Sequence, residues 1–125
     1  MIDQTRRSAR VFKTAWFAKA ARKALIADGE LCLAIRQVME GQADDLGGGV
    51  FKKRLDKNRS RSIILAKGGR HWVYEYLFAK KDRANIDDSD LAKLRKIARS
   101  YEALTEQQVN ELIDESSWME ICNGG

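Results

Sequence analysis

Residues 46–67 constrain the fold more than any other part of this 125-residue chain. A glycine triplet opens the segment, and two short alternating stretches follow on either side of a polar, basic turn. Such stretches, separated by turn residues, are typical of a β-hairpin. Because successive side chains of a strand point to opposite faces, Lys52 and Arg54 share one face, and Arg61 joins them if the hairpin register allows it. Three cations on one sheet face predict a surface that binds something anionic and repetitive.

The charge of the chain is concentrated around this hairpin. The formal net charge is +5, yet residues 46–86 carry eleven Lys and Arg against three Asp and Glu, whereas residues 87–125 carry four against nine. Charge alone fits a solvated lysine-rich surface better than a binding site. The alternation within the strands and a second basic cluster at residues 80–83 favour nucleic acid instead.

Several other classes of protein are disfavoured. No apolar run approaches the ~18 residues of a membrane helix, and the basic N-terminus has no apolar signal core, so a cytoplasmic protein is expected. Cys32 and Cys122 stand far apart among apolar neighbours, which predicts two reduced core cysteines. The glycine triplet does not fit a phosphate-binding loop. With a single histidine in the chain, no metal site and no cofactor are expected.

The periodicity of apolar residues predicts an α+β fold. We expect a small antiparallel sheet of about four strands, with an N-terminal helical hairpin packed on one face and helices at the C-terminus. One domain would cover residues 1–125, and residues 105–125 would form a C-terminal helical extension. The predicted elements are strands at 10–14, 50–55, 61–66 and 71–79 and helices at 15–26, 30–40 and 106–116, with a further helix from 87–89 to 104.

An aromatic alternation marks the strand at 71–79. Trp72, Tyr74, Tyr76 and Phe78 occupy every second position, which predicts one aromatic stripe on a single sheet face. A stripe of this kind is more often core than a platform for stacking bases, so we expect it to pack under the helices.

Three stretches of the chain resemble, in the same order, one family of bacterial proteins. They are RVFKTAWFAKAARK, ADDLGGGVFKKRL and LFAKKDRANIDDSDLAKL, within about residues 9–104. They are similar to the RelE/ParE superfamily of toxins from type II toxin–antitoxin modules, in the branch also described as HigB-like. The resemblance implies a small ribosome-dependent mRNA endonuclease without a cofactor. Its partners would be the ribosome, mRNA and an antitoxin encoded beside it, with no membrane involved.

The resemblance also implies the catalytic residues. The paired basic residues on the second strand of the family correspond to Lys52 and Arg54, the arginine of the next strand to Arg61, and the basic residue after the last strand to Lys81. RNA cleavage requires a deprotonated 2′-hydroxyl, a neutralised phosphorane and a protonated 5′-oxygen. Lys52 is the first choice for the base, since a lysine among cations can have a lowered pKa.

Further basic residues are expected to bind RNA rather than to react. These are Lys53, Lys57, Arg59, Lys80 and Arg83. Two departures from the family pattern leave the acid and base assignment open. Arg59 and Ser60 stand where the family usually has Gly-Tyr, and the tyrosine that often follows the last basic residue is replaced by Asp87.

Two alternatives to a nuclease remain open at this level. A toxin of the same fold could inhibit a protein target, such as a topoisomerase, without cutting RNA. The chain could also be a nucleic-acid-binding regulator. The basic sheet-face residues favour the nuclease and the regulator over the protein inhibitor.

Overall fold

A single mixed β-sheet organises the fold in the computed structural model, which describes residues 9–68 and 70–122. In chain order the elements are β1 (Arg10–Thr14), α1 (Ala15–Lys23), α2 (Asp28–Met39), β2 (Asp44–Asp45), β3 (Val50–Leu55), β4 (Ser60–Lys67), β5 (His71–Ala79), α3 (Asp88–Glu102), α4 (Glu106–Asp114) and β6 (Trp118–Ile121). Among these residues no helix is long and apolar enough to cross a membrane.

The six strands lie in the order β2-β3-β4-β5-β1-β6. All neighbours are antiparallel except β1 and β5, which run parallel with Arg10 opposite His71. The predicted antiparallel sheet of about four strands is therefore wrong in strand number and in direction. The pattern within a strand does not reveal its partner, and the two residues of β2 are too few to show a period.

The helices α1 and α2 cover one face of the sheet. Thr14 Oγ1 accepts a hydrogen bond of 3.0 Å from the Phe17 N–H and so caps α1, as its position before an apolar stripe predicts. Phe17, Leu31 and Ile35 are buried on this face together with Tyr74. The two helices pack mainly on different strands, α1 on β5 and α2 on β3. The predicted helical hairpin therefore describes them only in outline.

A β-bulge divides the aromatic stripe of β5. Tyr74 and Tyr76 pair with consecutive residues of β4, so Glu75 between them is an extra residue in the ladder. An extra residue reverses the alternation of side chains beyond it. Trp72 and Tyr74 therefore face α1 and α2, while Tyr76 and Phe78 face the opposite side. The prediction of one stripe on one face is wrong for this reason.

The helices α3 and α4 cover the other face. Leu94 and Ala98 of α3 pack on the buried Val50 of β3, and Val109 of α4 packs against Trp118. A capping box opens α4, since the Thr105 and Gln108 side chains each accept a hydrogen bond from the other residue's N–H. The chain then forms β6, which pairs with β1 at the edge opposite β2 and β3. The C-terminal segment thus contributes a helix, a strand and part of the core.

Cys32 of α2 and Cys122, which follows β6, form a disulfide with their Cα atoms 5.5 Å apart. The prediction of two reduced core cysteines is therefore wrong. Ninety positions separate the two cysteines in sequence. Only the return of β6 to the sheet brings them together, and that return is not visible in the residue pattern.

Candidate nucleic-acid interface

The basic face predicted on the hairpin is present, but its three cations differ in exposure. Arg54 pairs directly with Arg61 across β3 and β4, and Lys52 lies on the same face two residues before Arg54. Arg54 is exposed, whereas only 7% of Arg61 is accessible. The alternation thus places all three cations correctly on one face. The prediction of a binding surface formed by all three cations is wrong for Arg61, because its side chain is buried.

Arg61 is held by the backbone of the hairpin turn. Its Nη1 donates to the carbonyl oxygens of Asn58 at 3.0 Å and Ser60 at 3.3 Å. The turn is unusual, because Asp56, Lys57 and Asn58 all have positive φ values of 51–71°. Non-glycine residues in this region cost free energy and persist only where their surroundings fix them. Arg61 therefore helps to hold a strained turn that carries several of the predicted RNA-binding residues.

Lys52 is tied to the loop that follows β5. Its Nζ donates to Asn85 Oδ1 at 3.2 Å and lies 3.6 Å from a carboxylate oxygen of Asp44 on β2. Arg83 reaches the same loop, with Nε donating to the Asn85 carbonyl at 3.0 Å. Asn85 thus joins a strand residue to a loop residue more than thirty positions later. No sequence signal singled out Asn85, since a lone asparagine in a polar loop is ordinary.

Arg83 is also paired with Asp90 on α3. Its Nη2 lies 2.6 Å from Asp90 Oδ2, and its guanidinium carbon lies 5.5 Å from the centroid of the Phe78 ring. The Asp90 hydrogen bond is the main cause that raises the pKa of Arg83, and Arg83 in turn lowers the pKa of Asp90. Both groups therefore stay charged at neutral pH, and the pair fixes the loop against α3.

A second group of predicted residues surrounds the hairpin tip and the end of β5. Lys57, Arg59, Lys80 and Lys81 line one open hollow of about 770 Å³. Arg59 pairs with Asp56 at 2.9 Å, which lowers the pKa of that carboxyl group. Lys81 therefore lies with the tip residues in this hollow and does not join the hollow that Lys52 and Arg54 line.

The predicted cations differ in how far they are already engaged. Lys53 points to the other face of β3 from Lys52, and its Nζ donates to the Gln42 carbonyl at 2.9 Å. Four exposed side chains among these predicted cations make no hydrogen bond or ion pair with any other residue that the structure describes. They are Arg54, Lys57, Lys80 and Lys81. Of the predicted site residues, these four are the cations that a polyanion could reach without first displacing a partner.

Comparison with known proteins supports one family. The family model for the RelE toxin of the RelE/RelB toxin–antitoxin system matches residues 9–121, which is most of the chain. No curated protein and no solved structure matches the chain. The match extends beyond the stretches that carried the resemblance and includes α4 and β6. The chain therefore belongs to the RelE toxin family, and it is the toxin of a toxin–antitoxin system.

Proposed function

We propose that this toxin is a ribosome-dependent endoribonuclease that cleaves translated mRNA and is held inactive by a cognate antitoxin. The observation that carries the proposal is the position of Lys52 and Arg54 on the same face of β3. The loop after β5 lies beside them, and its Asn85 is hydrogen-bonded to both Lys52 and Arg83. A strand and a fixed loop together can orient one phosphodiester with the precision that RNA cleavage needs. Family membership supports the toxin role, and this cationic arrangement supports the chemistry.

The proposed reaction uses the cations of β3. Lys52 would accept the proton of the 2′-hydroxyl, whose oxygen attacks the adjacent phosphorus. Arg54, which is exposed and has no partner among the described residues, would neutralise the charge that develops on the phosphorane oxygens. The bond to the 5′-oxygen then breaks, that oxygen takes up a proton from water, and Lys52 returns the proton it accepted to the solvent. Asn85 would orient Lys52 through their hydrogen bond.

Arg61 and Lys81 take different parts in this scheme from those that the resemblance implies. The burial of Arg61 and its hydrogen bonds to the turn make it a positioning residue for the hairpin tip. Lys81 would bind the RNA backbone together with Lys57 and Lys80, because these residues line the tip hollow. Contacts to several phosphates release counterions, so binding should weaken steeply as salt increases.

The proposal is tested by primer extension on an mRNA in a purified translation reaction. Wild-type protein should create new 5′ ends only when ribosomes translate the message. Lys52→Ala and Arg54→Ala should each reduce cleavage by about 10²–10⁴-fold, the range typical of a lost proton-transfer or charge-stabilising group. Lys19→Ala is the matched control, since Lys19 is an exposed lysine of α1, on the opposite side of the sheet.

Three outcomes would contradict the proposal. Growth arrest with intact mRNA would favour a toxin that inhibits a protein target. Tight RNA binding without new 5′ ends would favour a nucleic-acid-binding regulator. Equal losses in Lys19→Ala and Arg54→Ala would show that overall charge, rather than the β3 site, carries the activity.

A further inference from the structure

An open cleft lies beside the proposed reaction site and contains none of the residues assigned to cleavage, although Arg83, which is expected to bind RNA, lines it. It forms where β1 ends and α1 begins, so that β5 has no strand beside its last residues on that side. The cleft has a volume of about 400 Å³, within the ~300–1,000 Å³ of typical ligand sites. Trp16 and Tyr76 form one wall, and Ile86, Leu94 and Ile97 form another.

Trp16 is the most informative side chain of this cleft. It stacks on Tyr76 with ring centroids 5.1 Å apart and an angle of 28° between the rings, yet 52% of its surface is accessible. About half of this side chain thus stays in contact with water, and covering its apolar surface with a flat partner would be favourable. Its stack on Tyr76 fixes the orientation of the indole, so a flat aromatic surface is already in place in the unbound protein.

The cleft has an acidic side chain in its interior and basic side chains at its rim. Inside, Glu75 Oε1 accepts a hydrogen bond of 2.6 Å from the Tyr101 hydroxyl, and burial raises the pKa of Glu75. A carboxylate at this position opposes a phosphate but can accept hydrogen bonds from the N–H groups of a base. Lys93 and Arg83 line the same cleft and supply positive charge, with Arg83 already paired to Asp90.

We infer that this cleft binds one unpaired nucleobase of the RNA, stacked against Trp16, with its phosphate towards Lys93. The inference rests on the proposed function and extends it with a base-binding subsite. Aromatic side chains are the usual means of holding unstacked RNA bases, because every base has a flat face. Arg83 contributes to the cleft and also contacts Asn85, which holds Lys52, so a base in the cleft would lie next to the proposed cleavage site.

The test measures binding of a six-nucleotide 2′-O-methyl RNA by fluorescence anisotropy, since this probe lacks the attacking hydroxyl and is not cleaved. Trp16→Ala should weaken binding about tenfold, the effect expected for one lost base stack. The salt dependence should keep its slope, because Trp16 carries no charge, whereas Lys93→Gln should reduce the slope by about one. Trp16→Phe should retain most of the affinity.

An abasic probe gives a second, independent readout. Removing the stacked base should weaken binding to the wild type about tenfold and should have no further effect on Trp16→Ala. Leu33→Ala, which truncates an exposed apolar side chain of α2, is the control and should bind like the wild type. Thermal melting of each variant checks that the fold is intact.

The outcomes separate this inference from the proposed function. If the wild type does not bind the probe at all, the base-binding cleft is overturned, while the proposed function stands or falls with the primer-extension result on translated mRNA. If the wild type binds but Trp16→Ala binds equally well, only the base-binding cleft is overturned. If Trp16→Ala keeps its RNA affinity but loses affinity for the antitoxin, the cleft is a protein-docking site and the inference is also overturned.

Discussion

At the scale of single residues, the glycine triplet at 47–49 shows why a sequence can require glycine without binding a phosphate. All three residues have positive φ values, between 66° and 85°. Arg95 of α3 lies over them, with its guanidinium donating to the carbonyl oxygens of Leu46 and Gly47. A Cβ atom on Gly48 would lie 2.8 Å from Arg95 Cγ. The contact between Arg95 and the triplet therefore holds α3 against the start of β3.

Gly48→Ala should lower the free energy of unfolding by roughly 1–3 kcal/mol, because it combines a left-handed backbone with a clash near the base of the Arg95 side chain. Urea denaturation measures this loss. Gly29→Ala is the control, since Gly29 lies in α2 with nothing within 4 Å of an added Cβ. It should raise stability by roughly 0.5–1 kcal/mol. A similar change in the free energy of unfolding of both variants would contradict the role of this contact.

The positions of the site residues could be predicted only where they depend on a single strand. Alternation along β3 places Lys52 and Arg54 on one face, and the sequence shows this directly. The burial of Arg61 depends on three left-handed turn residues that give no sequence signal. Asn85 and Trp16 could not be identified, because their roles arise from contacts between elements that are remote in sequence.

At the scale of elements, helix boundaries were predicted well and strand partners poorly. Thr14 and Thr105 cap their helices through contacts with residues three positions later, so the local sequence is enough to predict them. The bulge at Glu75 is different, because one extra residue in β5 has meaning only relative to β4. That bulge moves Tyr76 out of the α1–α2 core and onto the face where Trp16 can stack on it.

The acidic C-terminal elements should stabilise the fold rather than mask the basic face. Trp118 and Val109 are buried, and β6 lies at the edge opposite β3. We therefore expect Trp118→Ala to lower the free energy of unfolding, measured by urea denaturation, by about 3–5 kcal/mol.

The acidic side chains of α4 should have little effect on RNA binding. We expect Glu111→Gln with Asp114→Asn, which changes two exposed acids of α4, to alter RNA affinity less than about twofold at physiological salt. A severalfold gain in affinity would instead indicate masking.

At the scale of the whole molecule, the disulfide ties the end of the chain to α2. The bond between Cys32 and Cys122 closes a loop of most of the described chain. Closing so long a loop restricts the unfolded state and is typically worth about 2–4 kcal/mol. Reduction with dithiothreitol should therefore lower the melting temperature of the wild type. Cys32→Ala should melt at a lower temperature than the oxidised wild type and should not respond to the reductant.

Identical melting curves of the oxidised and the reduced wild type would contradict a stabilising role for this bond. The same experiment bears on where the protein works. Thiols are kept reduced in the cytosol, where the bond would open and the melting temperature of the reduced protein would be the relevant one.

The position of β1 has a consequence for the order of events during synthesis. Arg10 of this first strand contacts partners 61 and 110 positions further along the chain. The earliest strand to leave the ribosome is therefore the last to find both its neighbours, and such distant pairing slows folding. At about 5–20 residues per second, β1 stays without its β6 partner for several seconds. The six-stranded sheet is thus complete only once β6 has been synthesised.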